Sequence, residues 1–212
     1  MKNKKNVLFM ILLLLVGFAV VATGIVTDAT WIQRLDALGN QVFRLDISRE
    51  ASELILNMTH VGSIRTLAIT ALAIGAFLLL HKKFIGFLWF GFSMATIGGL
   101  TPSILKIAFA RPRPTDGLMS RGGYSFPSGH TMGTLALYGL IIILAVVYLE
   151  KSWQKHLLII ASLSIILLVS WSRIHLGVHF FTDIIGSLLL GISLLLSAWV
   201  ILMALRQKFG KS

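Results

Sequence analysis

Six nearly unbroken apolar runs, at 7–26, 64–80, 84–105, 131–149, 157–171 and 180–205, alternate with short polar stretches along the chain. Runs of about 17 to 25 apolar residues match the length of helix that crosses the hydrocarbon core of a bilayer. The pattern therefore predicts an all-α protein, a six-transmembrane-helix bundle forming one domain over residues 1–212. The first run follows a "KNKK" tetrapeptide and has the flank of a leader peptide. It is longer than the roughly 7 to 15 residues of a signal core, which favours a retained anchor. Between the first and second runs, residues 27–63 change period rather than losing it. Trp31, Leu35, Leu38, Val42 and Leu45 recur at helical spacing with Arg34, Asp36, Gln41 and Arg44 between them. This predicts an amphipathic helix, either lying in the headgroup plane or capping the bundle.

Composition strengthens the membrane reading. Of the 212 residues 56% are hydrophobic and 13% charged, against about 25% charged in soluble domains. The net charge of +11 comes from 19 Lys and Arg scattered between apolar runs. Without a basic stripe or tail, it does not indicate a nucleic-acid partner. The absence of cysteine excludes disulfides, iron–sulfur clusters and thiolate zinc sites. With the N-terminus placed in the cytoplasm, nine of the ten lysines fall in inner segments: Lys2, Lys4, Lys5, Lys82, Lys83, Lys151, Lys155, Lys208 and Lys211. This is the positive-inside bias and puts both termini in the cytoplasm. Lys106, Arg111, Arg113 and Arg173 fall on the outer side and need another explanation.

Three outer segments carry polar residues at the ends of spans: "KIAFARPRP" after the third, "PSGH" opening the fourth, and "SRIHLGVHFFTD" between the fifth and sixth. Each alone could anchor a helix end by snorkelling. Together they gather two histidines and an aspartate beside four cations, and ionisable groups at membrane depth mark function. In "PSGH", Pro127 suits a first helical turn, Ser128 can cap it, and Gly129 lets backbone N–H groups come close to an anion. Pro112 ends the preceding helix near Ala110 and leaves Arg113 on an extended arm, with Arg111 as a headgroup anchor. Arg113 can fork onto phosphate oxygens, whereas Lys106 acts as a point charge. His175, His179 and Asp183 stand at i, i+4 and i+8, which is also a metal-site spacing. Against zinc, the Glu of H-E-x-x-H is missing and Arg173 adds positive charge. Gly177 argues that a new helix begins near His179, leaving His175 for packing. Asp183, one helical turn on, can then hold the His179 tautomer whose other nitrogen is a nucleophile. Asn57-Met58-Thr59 matches a glycosylation acceptor. Gly86, Gly91, Gly98 and Gly99 on the third span suit a lipid-facing groove or close helix packing.

The three segments resemble the signatures of the type 2 phosphatidic acid phosphatase (PAP2) superfamily, K-x6-R-P, P-S-G-H and S-R-x5-H-x3-D. They match as Lys106…Arg113-Pro114, Pro127-Ser128-Gly129-His130 and Ser172-Arg173…His179…Asp183. The resemblance implies that His179 attacks phosphorus, Asp183 orients it, and His130 protonates the leaving group and later activates water. It implies that Lys106, Arg113, Ser128, Gly129 and Arg173 bind the substrate phosphate. No cofactor or metal is then expected, because fixed cations stabilise the transferring group. The expected substrate is a lipid phosphate or pyrophosphate on the extracytoplasmic face of the cell membrane. Undecaprenyl pyrophosphate is favoured over phosphatidylglycerol phosphate and phosphatidic acid by analogy with family members of this size. Three other classes remain as rivals. A transporter would line a path with charges, yet these sit at one end of the spans. Vanadium haloperoxidases share the anion signatures but resemble soluble proteins. A catalytically dead lipid-binding relative requires the matched residues to have lost their geometry.

Overall fold

A computed structural model of the chain describes residues 2–118 and 122–210, the side chains at positions 2, 3 and 49 excepted. Among these residues there is no strand. Lys211, counted above with the inner lysines, and the side chain of Lys2 lie outside the described residues. Nine α-helices follow in order: α1 (Lys2–Val26), α2 (Thr30–Phe43), α3 (Arg49–Met58), α4 (Ile64–Leu80), α5 (Phe84–Ser93), α6 (Thr101–Phe109), α7 (Gly129–Tyr148), α8 (Ser152–His175) and α9 (Phe181–Phe209). A 3₁₀ turn, Thr59–Gly62, joins α3 to α4, and a π-helical segment, Met94–Leu100, joins α5 to α6. Six helical stretches are long and apolar enough to cross a membrane, and they coincide with the six runs of the sequence.

The ends differ from expectation in informative ways. The second candidate span extends back through α3 to Glu50, and the third runs on to Phe109. The fifth, shortest by pattern, is a 24-residue helix, because Ser152 to His156 and Ser172 to His175 continue it at both ends with polar side chains. Helix α7 is the central element. Every residue from 131 to 137 is buried, and α8, α9 and the π-helical segment all pack on it. Its apolar residues Met132, Leu135, Leu137 and Leu140 meet Trp89, Phe90, Ile97, Leu190 and Leu202 in one core. The small residues of the third span divide between roles. Gly98 lies against α7, where an added Cβ would sit 3.3 Å from Ala136 and 3.5 Å from Gly133, whereas Gly91 and Gly99 face open space.

Helix α2 packs against α8 and α9 at one end of the bundle. Its inward face is Ile32, Asp36 and Gly39, all buried, while Trp31, Leu38 and Val42 are exposed. Apolar residues thus stand on both faces, as suits a helix lying along a membrane surface. Asp36, expected on the polar face toward headgroups, points into the protein.

Candidate active site

The three motif segments meet at the end of the bundle covered by α2. The first is released by the end of α6. Ala110 takes a left-handed conformation (φ 46°, ψ 29°) and caps the helix with its N–H on the Lys106 carbonyl. Pro112 then prevents continuation. The strand-like arm is held where Ser125 N–H donates to the Arg111 carbonyl (2.8 Å) and Ser125 Oγ to the Pro112 carbonyl (2.9 Å). Phe126 anchors the returning loop. It is fully buried, stacked on Phe18 with centroids 5.8 Å apart and edge-on to Phe109.

Pro127, expected in the first helical turn, instead precedes the cap, joined to Phe126 by a cis peptide bond. Ser128 is the N-cap of α7. Its Oγ accepts from Thr131 N–H (3.4 Å) and from Thr131 Oγ1 (3.1 Å), and its own N–H donates to Ser187 Oγ (2.8 Å). Ser187 Oγ in turn donates to the Asp183 carbonyl (2.6 Å), tying the start of α7 to the start of α9. The Ser128 side chain is thus buried as a cap, while Gly129 and His130 are the first two residues of the helix, whose N–H groups have no preceding turn to accept them. The Lys106 stem lies beside this terminus, 3.7 Å from where a Gly129 Cβ would stand, with Nζ donating to the Tyr124 (2.6 Å) and Ser125 (3.2 Å) carbonyls.

The third motif owes its shape to two helix ends placed back to back. Helix α8 closes with Gly177 in the left-handed region (φ +64°), Gly177 N–H on the Ile174 carbonyl and Val178 N–H on the Arg173 carbonyl. These two bonds form a Schellman motif. A Cβ at Gly177 would lie 2.5 Å from Gly117 Cα, so a side chain is barred by contact as well as by φ. His179 follows, its N–H also on the Arg173 carbonyl (3.2 Å). Helix α9 then opens with Phe180 as N-cap and Asp183 as its third residue, whose carboxylate accepts from Phe180 N–H (3.0 Å). The same Asp183 Oδ2 lies 3.2 Å from His179 Nδ1. The predicted pair therefore exists, but His179 stands just outside the helix, and the capping geometry rather than a shared helical face aligns the two. The continuous helix that would unite His175, His179 and Asp183 does not form. His175 closes α8, with Nδ1 accepting from Leu45 N–H (3.3 Å).

Arg113 reaches from its arm to the third motif. Its Nη1 lies 3.1 Å from His179 Nε2 and 2.8 Å from the Val178 carbonyl, and its Nε donates to the Gly122 and Gly123 carbonyls. Because the guanidinium can only donate, Nε2 is the accepting nitrogen and Nδ1 carries the proton toward Asp183. Burial is the main cause holding the His179 pKa down to about 4. The Asp183 hydrogen bond and charge oppose that shift, and Lys106 and Arg113 add to it. His179 is 3% exposed and neutral at ordinary pH. Arg173 is fully buried, with Nη2 donating to Thr59 Oγ1 (2.6 Å) and Nε to Ser172 Oγ (3.3 Å).

Three residues of this end were not singled out by sequence as part of the site. Arg111 is no headgroup anchor. Its side chain is 11% exposed and bridges Asp183 Oδ1 and Asp36 Oδ2, each at 2.5 Å, with Thr182 Oγ1 at 2.9 Å and the Phe180 ring 4.2 Å from its guanidinium carbon. Asp36 also accepts from Thr182 N–H (2.9 Å) and Thr182 Oγ1 (2.8 Å). One signal was legible: Ile32, Asp36, Gly39 and Phe43 form a helical stripe that is otherwise apolar or small, an unusual place for an acid. Thr59, read as part of a glycosylation acceptor, is 3% exposed with its hydroxyl committed to Arg173 and the Leu56 carbonyl.

A family model described as the PAP2 superfamily matches residues 86–207, more than half of the chain. Phosphatidylglycerophosphatase B of Bacillus subtilis (strain 168) is 32% identical over 182 residues, covering 84% of this chain and 87% of that protein. A crystal structure of a transmembrane PAP2-type phosphatidylglycerolphosphate phosphatase from Bacillus subtilis superposes with a TM-score of 0.77. It is 28% identical, and the match covers 95% of this chain and 98% of the other. With six apolar spans and three signatures meeting at one end of them, the chain belongs to the PAP2 superfamily and is a membrane phosphatase.

Proposed function

We propose that the protein hydrolyses a lipid phosphate at the extracytoplasmic face of the membrane, through a phosphohistidine on His179. The observation that carries this reading is the His179 tautomer: Nδ1–H toward Asp183, the Nε2 lone pair facing Arg113, and a ring kept neutral by burial. In the resting protein Arg113 donates to that lone pair. An incoming phosphate supplies better acceptors for the same guanidinium, so substrate binding moves Arg113 onto phosphoryl oxygens and uncovers the nucleophile. Nε2 then bonds to phosphorus as the P–O bond to the lipid breaks, and His130 delivers a proton to the leaving oxygen. In the second step water attacks phosphorus, His130 takes its proton, the P–N bond breaks and inorganic phosphate leaves. Lys106, Arg113, Arg173 and the Gly129 N–H supply the charge stabilisation. Ser128 contributes by holding that terminus in place as its cap. We expect no metal or other cofactor to be required.

Positive-inside bias supports the sidedness. Lys82, Lys83, Lys151 and Lys155 lie at the opposite end of the spans from the site, which favours cytoplasmic termini and an outward-facing site. The substrate's tail then stays in lipid while its phosphate reaches the headgroup level. Phosphatidylglycerol phosphate, named in the Bacillus relatives, is the first lipid to test, ahead of undecaprenyl pyrophosphate and phosphatidic acid.

Purified protein in detergent with EDTA, given this panel, is expected to release phosphate. His179→Ala is expected to lose activity by several orders of magnitude with its melting midpoint retained, and His130→Ala by about 10²- to 10⁴-fold. Near-normal release from His179→Ala would remove the nucleophile from this scheme. Abolition by EDTA, reversed by a divalent ion, would replace the fixed cations with a metal.

A further inference from the structure

Asp36 and Asp183 are the two buried carboxylates among the described residues, and both end on one guanidinium, Arg111. A buried charge without a partner is costly, so these three groups determine one another's positions. We infer that Asp36 and Arg111 form a positioning unit for the reaction, in which helix α2 holds the Asp183 carboxylate at the angle that fixes the His179 tautomer. This rests on the role proposed for His179.

The geometry divides the Asp183 carboxylate between two tasks. Oδ2 faces His179 Nδ1 and Phe180 N–H, and Oδ1 accepts from Arg111 Nη1. Arg111 is the side chain that opposes rotation of the carboxylate about its Cβ–Cγ bond from the Oδ1 side. Arg111 itself has its other arm fixed by Asp36 Oδ2, while Asp36 Oδ1 takes both the N–H and the hydroxyl of Thr182, one residue before Asp183. The planar guanidinium, spanning two carboxylates at once, suits this role, and a lysine ammonium on a flexible stem does not. The hydrogen bonds of Asp36 and Arg111 run to each other, to Thr182 and to Asp183. The unit's influence passes through Asp183.

The far end of α2 repeats the pattern. Arg44 donates to the side chain and carbonyl of Asp116 in the Arg113 loop, and Leu45 N–H donates to His175 Nδ1. Helix α2 is therefore latched to the first and third motif segments at two points. Between them Gly39 allows contact so close that an added Cβ would stand 2.2 Å from Phe181 Cβ.

The test uses the full chain in detergent with a short-chain phosphatidic acid as substrate, and inorganic phosphate and vanadate as inhibitors. Asp36→Asn keeps the shape and an acceptor for Thr182 but removes the charge facing Arg111. It is expected to lower kcat about 10- to 100-fold, by analogy with the loss of the carboxylate that orients a metal-bound histidine. KM and inhibition by phosphate, which report the cations, should stay within about twofold. Vanadate, whose five-coordinate adduct needs the nucleophile aligned, should bind more weakly by the same factor as kcat. Arg111→Lys, which keeps the charge but cannot span both acids, should behave alike, and the double variant should be no worse than the poorer single. Normal kcat in Asp36→Asn and Arg111→Lys, with His179→Ala inactive, overturns this inference alone. So does a lower kcat together with a raised KM and a lowered melting midpoint, which would mark a merely structural role. Activity in His179→Ala would remove the reading beneath it.

Discussion

His179 carries opposite demands on one ring. In the proposed reaction it must be neutral to attack, which Lys106 and Arg113 favour, yet it stands against a carboxylate that favours the charged form. Burial decides the balance, holding its pKa to about 4, well below the usual 6.5 of histidine. The sign of the pH dependence follows. The proposed nucleophile would be active above its pKa, so the acid limb of kcat/KM that belongs to His179 should fall near pH 4, not near 6.5. Stability moves in the same direction. Between about pH 6.5 and 4 the unfolded chain binds a proton that the folded one resists, so acidification through that window destabilises the fold. Thermal melts of the parent and of His179→Ala at pH 7 and pH 5 check this, and the parent should lose more. An acid limb for kcat/KM at pH 6 or above that disappears in no His130 variant would contradict the assignment. The motif residues were legible as types and spacings. Arg111 was not, because it lies outside the K-x6-R-P signature that picks out Arg113, and nothing local names Asp36 as its partner. Burial among Asp36, Thr182 and Asp183 makes that distinction.

At the level of elements, catalytic geometry here is made from helix ends. His179 stands between a Schellman motif and the Asp183 carboxylate that caps the Phe180 N–H, Ser128 caps α7, and a left-handed Ala110 releases the arginine arm. Each terminus is fixed locally because unsatisfied backbone groups accept few solutions. Helix α2 is the element whose role only packing reveals. Gly39→Ala should push it from Phe181, a strain of about 1 to 3 kcal/mol by comparison with overpacked cores. It should lower kcat in the manner of Asp36→Asn while leaving inhibition by phosphate intact. Phosphate release and a melting curve measure both effects. Unchanged kcat would show that α2 tolerates displacement. The helical period of residues 31–45 announced α2 correctly. The direction of its faces did not follow, since an apolar stripe points inward in water and outward at a membrane surface.

For the molecule as a whole, topology is the quantity on which the proposed reaction depends. The chain has no cysteine, so single introduced thiols report sidedness without background. Thr115→Cys, exposed beside the Arg113 arm, should react with a membrane-impermeant maleimide from outside intact cells. Glu150→Cys, exposed between α7 and α8, should react only after permeabilisation. The reverse pattern would place the site in the cytoplasm and require a substrate from the inner leaflet.

Span number and the three PAP2 signatures were legible in the sequence alone, because hydrocarbon thickness and motif spacing each act on a few neighbouring residues. Tertiary structure decided what depended on distant partners: that Asp36 turns inward, that Arg111 rather than a lipid headgroup answers it, and that Thr59 braces Arg173. A buried ion pair between residues 75 positions apart has no local period or spacing to announce it. Its cause is the cost of an unpaired buried charge, and that cost exists only once the chain has closed around it.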